Sequence, residues 1–313
     1  MHSRGLKQHR AIPHTIGGMK PSRRQLLASS AALAATAPVL ASPFPRGTRQ
    51  EKGLPGHTPH TRFAVNIEMW FRGTPFLERI EAAAKLGFPA VEFWPWRGKD
   101  IEAIASKTRE LGIEIAQFTA WGFSPGMNNP ENHDAVVAEI QESCRTAQQL
   151  DCKMMTVVAG NDQPGMSQAE MHEHVITALK RCAPIAEAHD VMLILEPMNI
   201  RVDHKGHCLY GSPDAVRICR EVDSSHVKIN WDLYHMQISE GDLCGRLKDG
   251  FDQVGYLQLA DHPGRREPGT GEIHYNRVLK QAHDLGYRGL VGLECYPTDP
   301  EAAAWRVNAA DQW

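Results

Sequence analysis

Val191-Met192-Leu193-Ile194-Leu195-Glu196-Pro197, then Ser212 to Val222, then Val227-Lys228-Ile229-Asn230-Trp231-Asp232: these stretches read as a strand, a helix and a second strand. Each strand is a short, mainly apolar run closed by a carboxylate. Such strands, joined by an amphipathic helix, belong in a parallel sheet covered on both faces. The same unit recurs in both directions. Strands are predicted at 63–67, 90–94, 113–118, 154–158, 191–195, 227–231, 254–259 and 290–293. Helices are predicted at 75–86, 101–111, 132–150, 167–188, 212–222, 243–248, 275–285 and 300–308. Gly87, Gly112 and Gly286 stand just past three of these helices, where a left-handed cap favours glycine. Eight units in roughly 250 residues predict an α/β fold, a single (β/α)8 TIM barrel over residues 62–313. An open doubly wound sheet is the alternative. No glycine-rich dinucleotide or phosphate loop follows an early strand, which weakens it.

The composition is that of an ordinary globular chain: 42% hydrophobic and 23% charged, with 34 basic and 37 acidic residues and a net charge of −3. No global attraction for nucleic acid or anionic lipid follows from this balance. The seven cysteines are odd in number and scattered, with no C-x-x-C pair. They read as buried small side chains rather than a disulfide framework or a thiolate metal site.

The N-terminus reads as an address. Ser22-Arg23-Arg24-Gln25-Leu26-Leu27 opens a small and apolar run that ends near Ala41. A charged start, a short apolar middle and a small-residue exit describe a secretory signal, and the paired arginines resemble the twin-arginine type. The run is too short to span a bilayer comfortably. Residues 1–41 are therefore expected to be an export signal handled transiently by export machinery, and residues 42–61 a linker. The expected destination is the periplasm or the extracellular side.

Active sites of such barrels lie at the C-terminal ends of the strands. The fifth strand ends in Glu196, the sixth in Asp232 and the eighth in Glu294, and the seventh carries Gln258. A carboxylate at the end of a buried strand is costly unless it is paired or binds a metal. Three carboxylates and an amide oxygen, all in phase, form a hard oxygen set suited to one divalent ion, Mg2+ or Mn2+. His235 lies one turn past Asp232 if the chain turns helical there, within reach of a substrate oxygen. Arg265, in the polar loop after the seventh strand, could offer a guanidinium fork to a carboxylate or polyol. Trp94 and Trp121, with neighbouring aromatics at other early strand ends, are expected to form an apolar pocket wall. The histidines at 204, 207 and 262 are weaker candidates.

Taken in order, Phe63–Phe71, Ala90–Trp96, Leu195–Asn199, Trp231–Gln237, Pro263–Glu272 and Gly289–Tyr296 resemble hydroxypyruvate isomerases within the xylose-isomerase-like sugar isomerase and epimerase barrels. The resemblance spans about residues 62–310. It implies that Glu196, Asp232, Gln258 and Glu294 hold one divalent metal, that Glu196 and Glu294 are the catalytic acid/base pair, and that His235 and Arg265 contact substrate. The implied reaction interconverts small α-hydroxycarbonyl compounds, of the hydroxypyruvate to tartronate semialdehyde type, by enediolate proton transfer. The amide at Gln258, where many relatives carry histidine, favours the hydroxypyruvate isomerase branch. The loop Asp203-His204-Lys205-Gly206-His207 departs from the expected pattern. Alternatives are a ketose epimerase, an inosose dehydratase, an oxidised-glycoside lyase, or an exported sugar-binding barrel without catalysis. A nuclease of the endonuclease-four type would need a histidine-rich three-zinc site and a basic groove. The expected partner is a small hydroxycarbonyl or sugar substrate, with no nucleic acid and no stable membrane insertion. Self-association into a homo-oligomer is left open.

Overall fold

A computed structural model of the chain describes residues 53–313. The expected signal and the first part of the expected linker lie outside the described residues. Eight parallel strands close on themselves in chain order, β1 beside β8. They are β1 (Arg62–Asn66), β2 (Ala90–Phe93), β3 (Glu114–Trp121), β4 (Met154–Val158), β5 (Met192–Glu196), β6 (Val227–Asp232), β7 (Val254–Leu259) and β8 (Leu290–Leu293). Among the described residues nine α-helices cover them: α1 (Phe76–Lys85), α2 (Ile101–Leu111), α3 (His133–Gln149), α4 (Gln168–Ala188), α5 (Ser212–Val222), α6 (Leu233–Ser239), α7 (Leu243–Gly250), α8 (Tyr275–Asp284) and α9 (Pro300–Ala310). The predicted barrel is the observed one.

Local chemistry sets the element ends. The Asp100 side chain accepts the Ala103 N–H at the start of α2, and Gly112 ends it at φ 65°, a left-handed conformation that glycine adopts without steric cost. Ser167 and Glu170 start α4 with a reciprocal capping box. The main core lies between strands and helices, with Trp70, Trp231, Phe93 and Phe118 fully enclosed. All seven cysteines are free and six are buried, as their scatter implies. No helix among the described residues is long and apolar enough to cross a membrane.

One boundary moves. Residues 53–61, expected to belong to the linker, pack against the end of the chain. Asp311 accepts the N–H groups of His60 and Thr61 at 2.7 and 3.0 Å. The Asn308 amide donates to the carbonyls of Pro55 and His57. The Gly56 N–H donates to the Leu86 carbonyl at 2.8 Å. The barrel unit thus begins before residue 62, held by contacts about 250 residues apart in sequence.

Candidate active site

Three carboxylates and a histidine meet at the C-terminal mouth of the barrel. One side-chain ligand atom from each of Glu196, Asp232, His235 and Glu294 lies within 4.8 Å of all the others, and all four residues are buried. The strands deliver three of them: β5 ends at Glu196, β6 ends at Asp232, and Glu294 follows β8 directly. Asp232 does two things. Its Oδ1 accepts the Tyr234 N–H at 2.8 Å and so caps α6, while its Oδ2 is buried without a hydrogen-bond partner. The cap starts a helix, and the helix brings His235 round to face its own cap. His235 Nε2 lies 3.6 Å from Asp232 Oδ2 and 3.8 Å from Glu196 Oε1.

Such a gathering of like charges is reflected in the carboxyl groups. Burial, and then the charge of Glu294, push Asp232 up to about 7. Burial, then Glu294 and Asp232, raise Glu196 well above the usual carboxylate range. Burial, and then the charge of Arg265, hold the His235 imidazole well below its usual range, in the neutral form. Arg265 supplies positive charge beside the carboxylates: its Nη2 lies 2.7 Å from Glu294 Oε2 and 4.0 Å from Asp232 Oδ2. Glu294 also accepts the Trp94 indole N–H at 2.7 Å.

A polar layer lies beneath. Glu92 of β2 has 0% exposure and accepts from Tyr256, Gln258 and Asn66 at 2.7, 2.8 and 3.1 Å. Burial, and then the charge of Glu294, push its carboxyl up to about 7. Gly292 makes this layer feasible, because a Cβ there would run into the Glu92 carboxylate and the Gln258 side chain. Gln258 Oε1 accepts from Asn230 at 2.6 Å. A carbonyl oxygen has two lone pairs, so this bond leaves one of them uncommitted. Glu92 was not singled out from sequence. Its signal was present, a lone acid inside the apolar run Ala90-Val91-Glu92-Phe93.

Arg265 is carried by a loop wound around a second buried acid. Asp261 accepts five backbone N–H groups, from His262, Gly269, Thr270, Gly271 and Ile273. A Cβ on Gly271 would collide with the His262 carbonyl. Glu267 ties the same loop to the Thr298 N–H and hydroxyl and to Arg306. Arg265 itself is left-handed, φ 53°, a conformation that costs a non-glycine residue about 1–3 kcal/mol. The loop's polarity is therefore mostly turned inward on itself, and the strained residue is the one that reaches the carboxylates.

The cavity above the carboxylates has a volume of about 510 Å3. Trp94, Pro95, Phe123, Val158 and Met198 give it an apolar wall, facing Glu196, Glu294, His235 and Arg265. Trp121 is not on this wall but in the main core. The β3–β4 pairing is irregular between Thr119 and Trp121, so position at a strand end alone does not decide which way this side chain faces. Phe123 stands at the cavity, with His204 stacked on it at 4.8 Å between ring centres. The departing loop at residues 203–207 thus contributes His204 to the cavity wall. His207 is structural: its ring nitrogens engage the Leu209 carbonyl and the Gly160 N–H. His262 packs near the Tyr234 ring and does not line the cavity.

A model of the xylose isomerase-like TIM barrel family matches residues 80–310. Hydroxypyruvate isomerase of Escherichia coli strain K12 is 34% identical over 256 residues, which is 78% of this chain and 97% of that protein. The 2-oxo-tetronate isomerase of Cupriavidus necator is 31% identical over 253 residues, 75% of this chain and 93% of that protein. A crystal structure described as an AP endonuclease, family 2, from Brucella melitensis superposes with a TM-score of 0.73 at 26% identity, over 81% of this chain and 97% of that one. The chain belongs to the xylose isomerase-like TIM barrel family, as a hydroxypyruvate isomerase-like enzyme.

Proposed function

We propose that the protein is a metal-dependent isomerase of small α-hydroxycarbonyl acids, of the hydroxypyruvate to tartronate semialdehyde type. The observation that carries this reading is the convergence of three buried carboxylates, with Asp232 Oδ2 left without a partner. An unpartnered buried carboxylate oxygen beside two further acids suits a cation. Glu196, Asp232 and Glu294 would hold the ion, with Gln258 Oε1 as the fourth oxygen. All-oxygen donors favour Mg2+ or Mn2+. When bound, the ion supplies Lewis-acid polarisation of the substrate's carbonyl and hydroxyl oxygens.

The chain's own residues do the rest. Glu196 and Glu294 flank the centre and exchange a proton with adjacent substrate carbons by way of an enediolate. Glu196, whose carboxyl is raised toward neutrality, suits the transfer of a proton in either direction. His235 offers an N–H to a substrate oxygen, and Arg265 a fork to the substrate carboxylate. Trp94 and Phe123 exclude water from the reacting carbons. Export of the enzyme by a twin-arginine route belongs to the same reading and rests on Ser22 to Ala41.

A second reading is favoured by the cavity. At about 510 Å3 it falls within the range of 300–1,000 Å3 that accepts drug-sized ligands. A four-carbon 2-oxo acid or a larger ketose would also fit. The test is deuterium incorporation followed by NMR, with chelator-stripped protein, added Mn2+ or Mg2+, and hydroxypyruvate, a four-carbon 2-oxo acid and several ketoses. Metal-dependent exchange next to a carbonyl with product formation is expected for one of them. Stoichiometric metal binding without exchange on any compound would sink the isomerase reading.

A further inference from the structure

We propose that Asn199 fixes the tautomer of His235, so that the imidazole faces the carboxylate centre as a hydrogen-bond donor and stays out of the metal's coordination shell. This rests on the metal reading above for its second half only. The first half follows from hydrogen bonds.

Asn199 follows β5 and has 0% exposure. Its Oδ1 accepts the backbone N–H groups of Val202 and Asp203 at 3.0 and 3.1 Å. Backbone N–H groups can only donate, so that end of the amide is the oxygen. The Nδ2 end then meets Asp203 Oδ2 at 2.8 Å and His235 Nδ1 at 2.7 Å. The carboxylate takes one N–H and His235 Nδ1 takes the other. A neutral imidazole that accepts at Nδ1 carries its hydrogen on Nε2. Nε2 is the atom aimed at Asp232 and Glu196, and it is buried with no hydrogen-bond partner.

An Nε2 that holds a hydrogen has no lone pair to give a metal. The four-residue cluster is close enough to be a mixed nitrogen and oxygen site, but the tautomer excludes the nitrogen. The remaining donors are oxygens. Imidazole ligation would shift preference toward Zn2+, whereas oxygen donors leave it with Mg2+ and Mn2+. Asn199 is therefore a positioning residue that sets metal preference without touching the metal.

The test inverts one polarity and keeps net charge. In the double variant Asn199→Asp/Asp203→Asn, residue 203 donates to residue 199, and residue 199 accepts from His235 Nδ1. The hydrogen then moves to Nδ1 and the Nε2 lone pair turns to the centre. Proton–nitrogen correlation NMR on protein with labelled histidine reads the tautomer, with His235→Gln identifying the signal. Competition between Zn2+ and Mn2+ for the stripped protein reads the preference. The wild type should show hydrogen on Nε2. The double variant should show it on Nδ1, with the Zn2+ to Mn2+ affinity ratio raised at least tenfold. Adding His235→Gln to the double variant should remove that rise. A wild-type signal with hydrogen on Nδ1 overturns the proposal, whether or not the variant folds. A tautomer that moves while the ratio stays constant overturns the selectivity half. A wild type with hydrogen on Nε2 that binds neither ion supports the tautomer lock and overturns the metal reading instead.

Discussion

Asp261 and Asp232 are both fully buried acids at the C-terminal mouth of one barrel, and they are handled in opposite ways. Asp261 is closed: its two oxygens accept five backbone N–H groups, and the loop of residues 261–273 is shaped by that carboxylate. Asp232 is open: one oxygen caps α6 and the other has no hydrogen-bond partner. The first arrangement converts a charge into architecture. The second keeps a charge available at a cost to the fold, the mark of a site arranged for a ligand. Burial alone does not separate the two cases, but the disposition of the lone pairs does.

The largest expected effect breaks the open site. Glu196→Gln should lower turnover by about 10²–10⁴-fold, the range of a lost acid or base, while isothermal titration still detects substrate binding. Turnover within threefold of wild type would take Glu196 out of the chemistry. The closed site should respond in stability instead. Asp261→Asn replaces an acceptor-only group with one carrying its own N–H donors, facing backbone N–H groups. A loss of about 3–5 kcal/mol in denaturant unfolding is expected.

Asp232→Asn should do the reverse and stabilise the metal-free protein. The folded carboxyl sits at about 7, against roughly 3.9 unfolded. A raised carboxyl contributes its stability in the protonated form, below the unfolded value. That stability is lost as pH rises through about 7. The substitution should therefore change little near pH 4 and gain about 2–4 kcal/mol at pH 8, because Asn keeps the α6 cap. A loss of stability at pH 8 would mean that Asp232 is closed like Asp261. The smallest effect sharpens the contrast by titration. Metal ligands bind deprotonated, so Mn2+ affinity should fall by up to about tenfold per pH unit for each displaced proton, below pH 7. Equilibrium dialysis across pH 5–8 measures it, and a flat profile would detach Asp232 from the ion.

Most of the barrel was legible because its signals are local. The runs at 154–158, 254–259 and 290–293 became strands with those bounds, and 101–111 and 212–222 became helices with theirs. The carboxylates at strand ends were legible because a charge at the end of an apolar run has few reasons to be there. What escaped depends on contacts or irregularities that a period cannot express. The short helix α6, anticipated only as a conditional turn that would bring His235 round, has its cap in Asp232, a residue read as a metal ligand. Trp121, expected at the cavity from its place at a strand end, packs in the core beside an irregularity in the β3–β4 pairing. The tautomer of His235 depends on Asn199, 36 positions away, and no pattern in either segment announces it.

The tie between the start and the end of the barrel has a consequence in time. Pro55, His57, His60 and Thr61 take their partners from Asn308 and Asp311, and β1 takes one of its two neighbours from β8. A chain still being synthesised holds its first strand and the stretch before it for more than 200 residues without those partners. Those four ties are thus a record of closure: they arise only once residues 308–311 have joined the barrel, whereas the Gly56 to Leu86 bond can form earlier.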